Sequence, residues 1–178
     1  NPTKFSYASC GNGTTMHLAG EMFKQQAKVS MTHVSYRGCA PAVVDTIAGH
    51  VPIVFSTLPS LRGPLEQGRL RVLAITSLQR TSLAPQLPAL GEVAPELRAV
   101  VADTWSGIFA PAGTPASIIA KLNAEINAAI DSPDARAQLA ATGSEVPIKS
   151  PSELGELVRS ELERWTKMIK ETGLVVEQ

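Results

Sequence analysis

Aromatic and small residues alternate over Phe5-Ser6-Tyr7-Ala8, as in a short strand, and then the hydrophobic period lengthens. From Met16 to Ala27 the apolar positions are Met16, Leu18-Ala19, Met22-Phe23 and Ala27, the spacing of one helix face. The exchange repeats downstream. Thr32-His33-Val34-Ser35-Tyr36 predicts a second strand, and the turn Arg37-Gly38-Cys39-Ala40-Pro41 follows it. A short helix over Ala42 to Ala48 is expected to stop at Gly49. Val51-Pro52-Ile53-Val54-Phe55 predicts a third strand, with Pro52 near its start, where a missing N–H is tolerated. A helix around Leu61 to Gln67 then leads to a fourth predicted strand, Leu70-Arg71-Val72-Leu73-Ala74-Ile75-Thr76. Strands alternating with helices imply parallel pairing and right-handed crossovers, hence an α/β architecture.

The rhythm stops between residues 80 and 100, where Pro85, Pro88 and Pro95 predict a long surface connection between domains. Trp105-Ser106-Gly107-Ile108-Phe109-Ala110 predicts a further strand, and the remainder is helical. Thr114-Pro115, Ser132-Pro133 and Ser150-Pro151 each place a hydroxyl cap before a proline suited to the first helical position. Ser150 with Glu153 also forms a capping box. The first of these helices is expected to bury Ile118-Ile119, Leu122, Ile126 and Ile130. The last carries Leu154, Leu157-Val158, Leu162, Trp165 and Met168-Ile169 on one face and is expected to stop at Gly173. Three amphipathic helices need more sheet than one strand provides. Residues 1–104 therefore read as a mostly parallel α/β unit, and 105–178 as one strand plus helices, incomplete alone.

Composition narrows the function. The chain has 178 residues, 44% hydrophobic and 18% charged, enough for one domain or two small ones. Sixteen basic residues balance sixteen acidic ones with no basic run, which argues against a nucleic-acid partner. No apolar window reaches the roughly 18 residues of a membrane span. The start at Asn1, without an initiator Met or a signal-peptide pattern, reads as that of a trimmed piece. Cys10 and Cys39 form no C-x-x-C, and His17, His33 and His50 lie far apart, so no structural zinc is expected. Two lone cysteines fit either free thiols or one disulfide.

The densest candidate chemistry is Ser9-Cys10-Gly11-Asn12-Gly13-Thr14-Thr15, between a strand and a helix. Small residues there leave backbone N–H groups unpaired, which makes an anion site. Phosphate signatures fail on it. A dinucleotide fingerprint needs a third glycine where Met16 stands, no Lys follows Gly13 as a Walker loop requires, and a cysteine-phosphatase loop would want Arg at Met16. Cys10 at a helix N-terminus could serve as a thiolate nucleophile with His17 as base. The plainer reading makes Cys10 a small loop residue and His17 a partly exposed helix residue. Cys10 and Cys39 follow strands expected to be neighbours about 4.8 Å apart, a geometry that allows a disulfide. Asp45 and Asp103 read as solvated, and Trp105 and Trp165 as packing helices on a sheet. No paired carboxylates, Ser-His-Asp spacing or metal cluster stands out, and no cofactor is implied.

Tyr7-Ala8-Ser9-Cys10-Gly11-Asn12-Gly13-Thr14 followed by His17-Leu18-Ala19-Gly20-Glu21 resembles the Bug family of periplasmic solute receptors. These are the substrate-binding proteins of tripartite tricarboxylate transporters. The resemblance continues through Val34-Ser35-Tyr36-Arg37-Gly38, Leu70-Arg71-Val72-Leu73-Ala74-Ile75-Thr76 and Phe109-Ala110-Pro111-Ala112-Gly113-Thr114-Pro115, and on to Lys121-Leu122-Asn123 and Gly143. It implies a type II periplasmic-binding-protein fold, in which two α/β lobes close on a small carboxylate, and a non-enzymatic receptor that serves membrane transporter subunits from the periplasm. The implied ligand residues are Ser9, Cys10, Gly11, Asn12, Gly13, Thr14 and Thr15, with Gly38, Cys39 and Ala40 beside them and Phe55, Ser56 and Thr57 after the third strand. Members often carry Phe-Asp where this chain has Phe55-Ser56-Thr57, which leans away from amino acids and towards plain or aromatic carboxylates. On this resemblance residues 1–104 are the second lobe. Residues 105–178 are the returning part of a first lobe whose N-terminal segment is lacking, and self-association through the exposed helices is expected. The alternative is a thiol-dependent enzyme built on Cys10, and a third reading is a fragment with only a structural or interaction role.

Overall fold

Three short strands, β1 (Phe5–Ser9), β2 (Met31–Ser35) and β3 (Ile53–Val54), form a parallel sheet in the order β2-β1-β3. The computed structural model describes residues 5–144 and 146–172. β1 is the centre. Phe5 pairs with Met31 and Ser9 with Ser35 on one side, while Tyr7 and Ala8 pair with Ile53 and Val54 on the other. Each strand is followed by a helix: α1 (Thr15–Ala27), α2 (Cys39–Ile47) and α3 (Leu58–Glu66). Parallel strands require such returns, because the chain must travel back before it can pair again.

Alternation along β1 distributes the core to its two faces. Ala8 packs with Ala42 of α2 and with Val51, flanked by Val34, Tyr36 and Val54. Tyr7 points the other way, where Gly20 of α1 lies against its ring; a Cβ built on Gly20 would overlap that ring. Tyr7, Ala8 and Ser9 are fully buried, as the middle strand of a covered sheet should be. Outside α1 lies a second cluster of Leu90, Leu97 and Val100 against Met22, Phe23 and Ala27. It is supplied by the short helix α4 (Leu90–Val93) and a 3-10 turn over Pro95–Leu97. The stretch expected to be a bare surface connection thus contributes core.

Several expected boundaries move. α2 begins at Cys39, so Gly38 is its N-cap and part of the expected turn is its first helical turn. It ends at Ile47, and Gly49, with φ of +82°, makes the left-handed exit that glycine favours. α3 begins at Leu58, with Pro59 in its first turn, earlier than expected. Residues 70–76 are not a strand. They hold one isolated parallel bridge, Ile75 with Ala89, in which Ile75 N–H donates to Pro88 (2.9 Å) and Leu90 N–H to Ile75 (2.8 Å). Their apolar alternation survives, but a strand exists only as a ladder, and no described strand continues one beside this segment.

The chain divides into two compact units between Thr104 and Trp105. In the second unit Trp105–Ala110 is exposed and not a strand, for the same want of a described partner. It is followed by α5 (Ala116–Asp131), α6 (Pro133–Ala141) and α7 (Pro151–Thr172). Ser132 caps α6 by accepting from Ala135 N–H (3.4 Å), and Ser150 and Glu153 cap α7 reciprocally (3.3 and 2.7 Å). Thr114 does not cap α5. Pro115 takes the N-cap position, and the Thr114 hydroxyl donates to Pro111 C=O (2.8 Å). Asn123 and Asn127 both donate to Lys149 C=O, tying α5 to the start of α7 (3.0 and 3.1 Å). Trp165 donates to Glu161 one turn back (2.8 Å) and lies under Arg164. Of the α5 face expected to be buried, Ile118 and Leu122 stay exposed, while Ile119, Ile126 and Ile130 are half-buried. On the α7 stripe Leu162 is exposed, Met168 buried and the others half-buried, and Ile108 and Phe109 before α5 are exposed. The stop expected at Gly173 lies outside the described residues.

Gly20→Ala tests the tightest packing. Alanine should favour α1 by about 1 kcal/mol, but forcing a methyl into the buried Tyr7 ring costs about 1–3 kcal/mol. The expected outcome is a net loss, read as a lower urea midpoint; a midpoint at or above the parent's would show that the ring yields freely.

Candidate functional site

Because β1, β2 and β3 run parallel, their carboxyl ends open on one edge, and α1, α2 and α3 all begin there. In open α/β sheets that edge is where ligands bind. The loops are fixed by hydrogen bonds that continue the ladders: Phe55 N–H to Ala8 C=O (3.0 Å), Tyr36 N–H to Ser9 C=O (3.3 Å) and Gly38 N–H to Cys10 C=O (3.1 Å). A disulfide joins Cys10 to Cys39 and clamps the first loop to the start of α2.

Within the first loop nearly every group has a task. Thr14 is the N-cap of α1; its Oγ1 accepts from His17 N–H (3.3 Å) and donates to Gly11 C=O (2.7 Å). Gly11 has φ of +139°, and a side chain there would press within 3.3 Å of the Tyr36 carbonyl. Gly11 N–H donates to Ser9 Oγ (3.2 Å) and Gly13 N–H to His17 Nδ1 (3.1 Å). The N–H groups of Asn12, Thr15 and Met16 have no hydrogen bond among the described residues. They are the loop's spare donors. In the second loop Cys39 and Ala40 are the first two residues of α2, whose N–H groups likewise lie beyond the reach of intrahelical bonding. In the third, Thr57 is the N-cap of α3, with Oγ1 3.0 Å from Ser60 Oγ, and Ser56 Oγ lies 3.9 Å from Cys10 Sγ.

All the sequence-derived candidates fall on this one edge, but not all are turned outward. Ser9 is fully buried, and its hydroxyl supports the loop from beneath. Phe55 turns its ring inward, edge-on to Tyr7 at 5.4 Å and near Phe23 at 6.1 Å. Asn12 and Ala40 are exposed, and Gly11, Gly13, Thr14 and Thr15 half-buried. Three helix N-termini each bring roughly half a positive charge to the edge. The loop stretches 10–15, 36–40 and 55–57 contain no Asp or Glu, and Arg37 is their one charged residue. This suits an anion. Catalysis through Cys10 has no thiol to draw on while the disulfide stands. Among the described residues no group of His, Cys, Asp or Glu is placed to hold a metal ion.

The structure also promotes residues that sequence reasoning set aside. His17 is not partly exposed but buried, stacked on His33 with ring centroids 3.9 Å apart and planes 9° apart. Burial lowers its pKa, with Glu21 opposing and Lys24 adding to the shift. His33 is pushed down to about 4, first by burial and then by His17. Asp45 is not simply solvated: it accepts from Tyr36 Oη (2.7 Å) and lies 3.5 Å from His50 Nδ1, and the tyrosine bond holds its carboxyl below the usual range. The signal for the histidine cluster was the strand period, which puts Tyr7 and Ser9 on one face and sets His33 opposite Tyr7.

Comparison with known proteins places this edge in context. The architecture is that of periplasmic binding proteins. Residues 1–174 match the tripartite tricarboxylate transporter family receptor, and the chain belongs to that family. It is 42% identical over its whole length to a protein of Pseudomonas sp. strain P51 encoded between tcbD and tcbE. It superposes with TM-score 0.86 on Rpa4515 of R. palustris, solved with adipate, at 31% identity over 97% of this chain. With MatC of Rhodopseudomonas palustris, solved with bound malate, the TM-score is 0.76 at 27% identity over 92% of this chain. The chain spans 53% of the Pseudomonas protein, 57% of Rpa4515 and 56% of MatC, little more than half of each.

The disulfide closes a sequence separation of 29 residues. Chain entropy then assigns it about 3–4 kcal/mol of stability. A phosphine reductant, or the Cys10→Ala/Cys39→Ala pair, should lower the urea unfolding free energy by that order, and the unfolded, unreduced protein should show no free thiol.

Proposed function

We propose that this chain is the carboxylate-binding part of an extracytoplasmic solute receptor, without enzymatic activity, which delivers its solute to the membrane subunits of a tripartite tricarboxylate-type transporter. The observation that carries the reading is the convergence of three helix N-termini, with spare N–H donors at Asn12, Thr15 and Met16, on an edge without an acidic residue. Fixed N–H donors hold a carboxylate by charge-assisted hydrogen bonds, and bridging waters complete the contact while keeping release easy. The proposed ligand residues are the loop Cys10 to Thr15, Gly38 to Ala40, and Ser56 and Thr57, with Ser9 and Phe55 supporting from inside.

Two structural neighbours, solved with adipate and with malate, favour a small dicarboxylate. Ser56 and Thr57, where an acid would bind an ammonium group, favour a solute without one. A disulfide fits an oxidising compartment such as the periplasm, and no described helix is long and apolar enough to cross a membrane. Residues 1–104 are read as one ligand-binding lobe and 105–178 as the returning part of the other. The exposed Ile108, Phe109, Ile118, Leu122 and Leu162 then belong against sheet supplied by the extra length of the longer relatives.

Adipate and malate titrations, followed by calorimetry and by thermal midpoint, test the reading. A dicarboxylate should raise the midpoint and inorganic phosphate should not; failure of every plain carboxylate to bind would overturn it. Thr15→Pro sharpens the test. Thr14 already has the extended backbone that precedes proline (φ −71°, ψ 157°), and proline is accepted at the first helical position, so the spare N–H is lost without disturbing α1. Thr15→Val, which removes the hydroxyl and keeps the N–H, is the control. Losing one bond to a charged ligand, about 1.5–3 kcal/mol, should weaken binding about tenfold or more with stability nearly unchanged. The 178 residues by themselves should self-associate through the exposed apolar side chains of the second unit. Sedimentation should then show mass rising with concentration, and a constant monomer mass would count against the lobe assignment.

A further inference from the structure

A largely buried polar cluster lies beneath the first loop. Its members come from two strands and one helix: Tyr7 and Ser9 of β1, His33 of β2, and His17, Glu21 and Lys24 of α1. Tyr7 Oη donates to Glu21 Oε1 (2.6 Å), and Lys24 Nζ donates to both Glu21 oxygens (2.8 Å each). His17 Nε2 is 3.9 Å from Glu21 Oε1, His33 stacks on both His17 and Tyr7, and His33 Nε2 is 2.7 Å from Ser9 Oγ. Two members reach into the loop, His17 through Gly13 N–H and Ser9 through Gly11 N–H.

We propose that His17, backed by His33 and Ser9, is the positioning residue that holds the Gly11–Thr14 loop in its anion-receiving shape, and that a proton taken up by the histidine pair releases the loop. The inference rests on the reading of that loop as a carboxylate site. Its chemistry follows from one lone pair. Gly13 N–H can donate to Nδ1 only while the imidazole is neutral, with its proton on Nε2 facing Glu21. A proton on Nδ1 turns the acceptor into a donor aimed at another donor. The hydrogen bond to Gly13 breaks, and the loop that aims Asn12 and Thr15 loses its anchor.

The groups facing the pair set where this happens. Burial disfavours the cation at both rings, and each ring resists a charge on the other across 3.9 Å. Lys24 adds to that resistance; Glu21 opposes it, although its charge is already shared with Lys24 and Tyr7. Burial works against the Glu21 carboxylate too, but the bonds from Lys24 and Tyr7 outweigh it and keep it ionised, while burial and then the Glu21 bond push the Tyr7 hydroxyl up. From β3 the neighbouring ring is the uncharged Phe55. The sign is therefore fixed. With both histidines' folded pKa below the usual 6.5, the unfolded state binds more protons in acid. The neutral arrangement is complete above about pH 6.5 and is lost as pH falls towards 4, the value reached by His33.

The test compares two substitutions in the full chain. Asparagine places an amide oxygen where Nδ1 stands and does not titrate; phenylalanine keeps the stacked ring and removes the acceptor. Amide-exchange protection at Gly13 and Thr14, corrected for intrinsic rates, should fall about three- to tenfold in the parent between pH 7 and about 3.5, below the value near 4 reached by His33, the worth of one hydrogen bond. His17→Asn should stay protected across that range, and His17→Phe should be unprotected at both ends. Adipate affinity is compared at pH 7 alone, because adipate itself takes up protons towards pH 4; there the parent and His17→Asn should bind alike and His17→Phe more weakly. Parent protection that does not change with pH, or His17→Phe as protected as the parent, would overturn the proposal. Should His17→Phe fail to fold, parent against His17→Asn decides alone. The exchange measurement needs no ligand, so a loop that behaves as expected but binds neither adipate nor malate would sink the receptor reading and spare this one.

Discussion

The hydrogen bonding of β1 on both of its edges is the constraint from which the rest of this molecule follows. A strand paired on either side in parallel cannot be joined to its neighbours by tight turns, so each neighbour is reached through a helix. Those helices cover both faces, and the residues between must be apolar or internally satisfied: Tyr7, Ala8 and Ser9 are buried to the last atom. The same pairing overruns the strands. The carbonyls of Ala8, Ser9 and Cys10 take N–H groups from Phe55, Tyr36 and Gly38, so the three loops at the carboxyl edge are positioned by the central strand itself.

The site inherits its electrostatics from this arrangement rather than from charged side chains. Parallel strands with following helices bring helix N-termini to one edge, and their partial positive charges add there. Small residues keep the backbone accessible; the disulfide between Cys10 and Cys39 holds two of the loops together where hydrogen bonding alone would leave them looser. Beneath, the polar cluster around His17 satisfies buried groups that would otherwise be costly, since no buried side-chain nitrogen or oxygen of the described residues lacks a partner. The work is divided: the spare donors lie at the open edge, and the side chains that fix them lie beneath it.

Much of the first unit was legible along the chain. The three strands, the helices after them and the loop at Ser9–Thr15 are local features, written in period, glycine placement and caps. The segments at 70–76 and 105–110 carry strand-like alternation and yet form no ladder, because pairing depends on a neighbour that no local pattern supplies. His17 was misread for a related reason. Its helical position is plain from the sequence, but its burial follows from facing His33 and Tyr7, residues brought there by β1 and β2. Phe55 stands at the expected edge, but its ring turns inward because the alternation of β3 carries on into the loop: Ile53 pairs with Tyr7, and Phe55, two residues on, meets the same Tyr7 ring.

The sequence by itself determined the α/β class, the small-residue loop between β1 and α1, the failure of phosphate signatures and the family resemblance, because each rests on residues adjacent in the chain. Only the tertiary structure decided which donors remain spare, that the Ser9 hydroxyl and the Phe55 ring turn inward, that Asp45 is paired, and that His17 reaches Gly13. Those outcomes depend on where β2, α1 and α2 come to lie against β1. Directional hydrogen bonds and the exclusion of water are settled by that packing, over distances that no window of sequence spans.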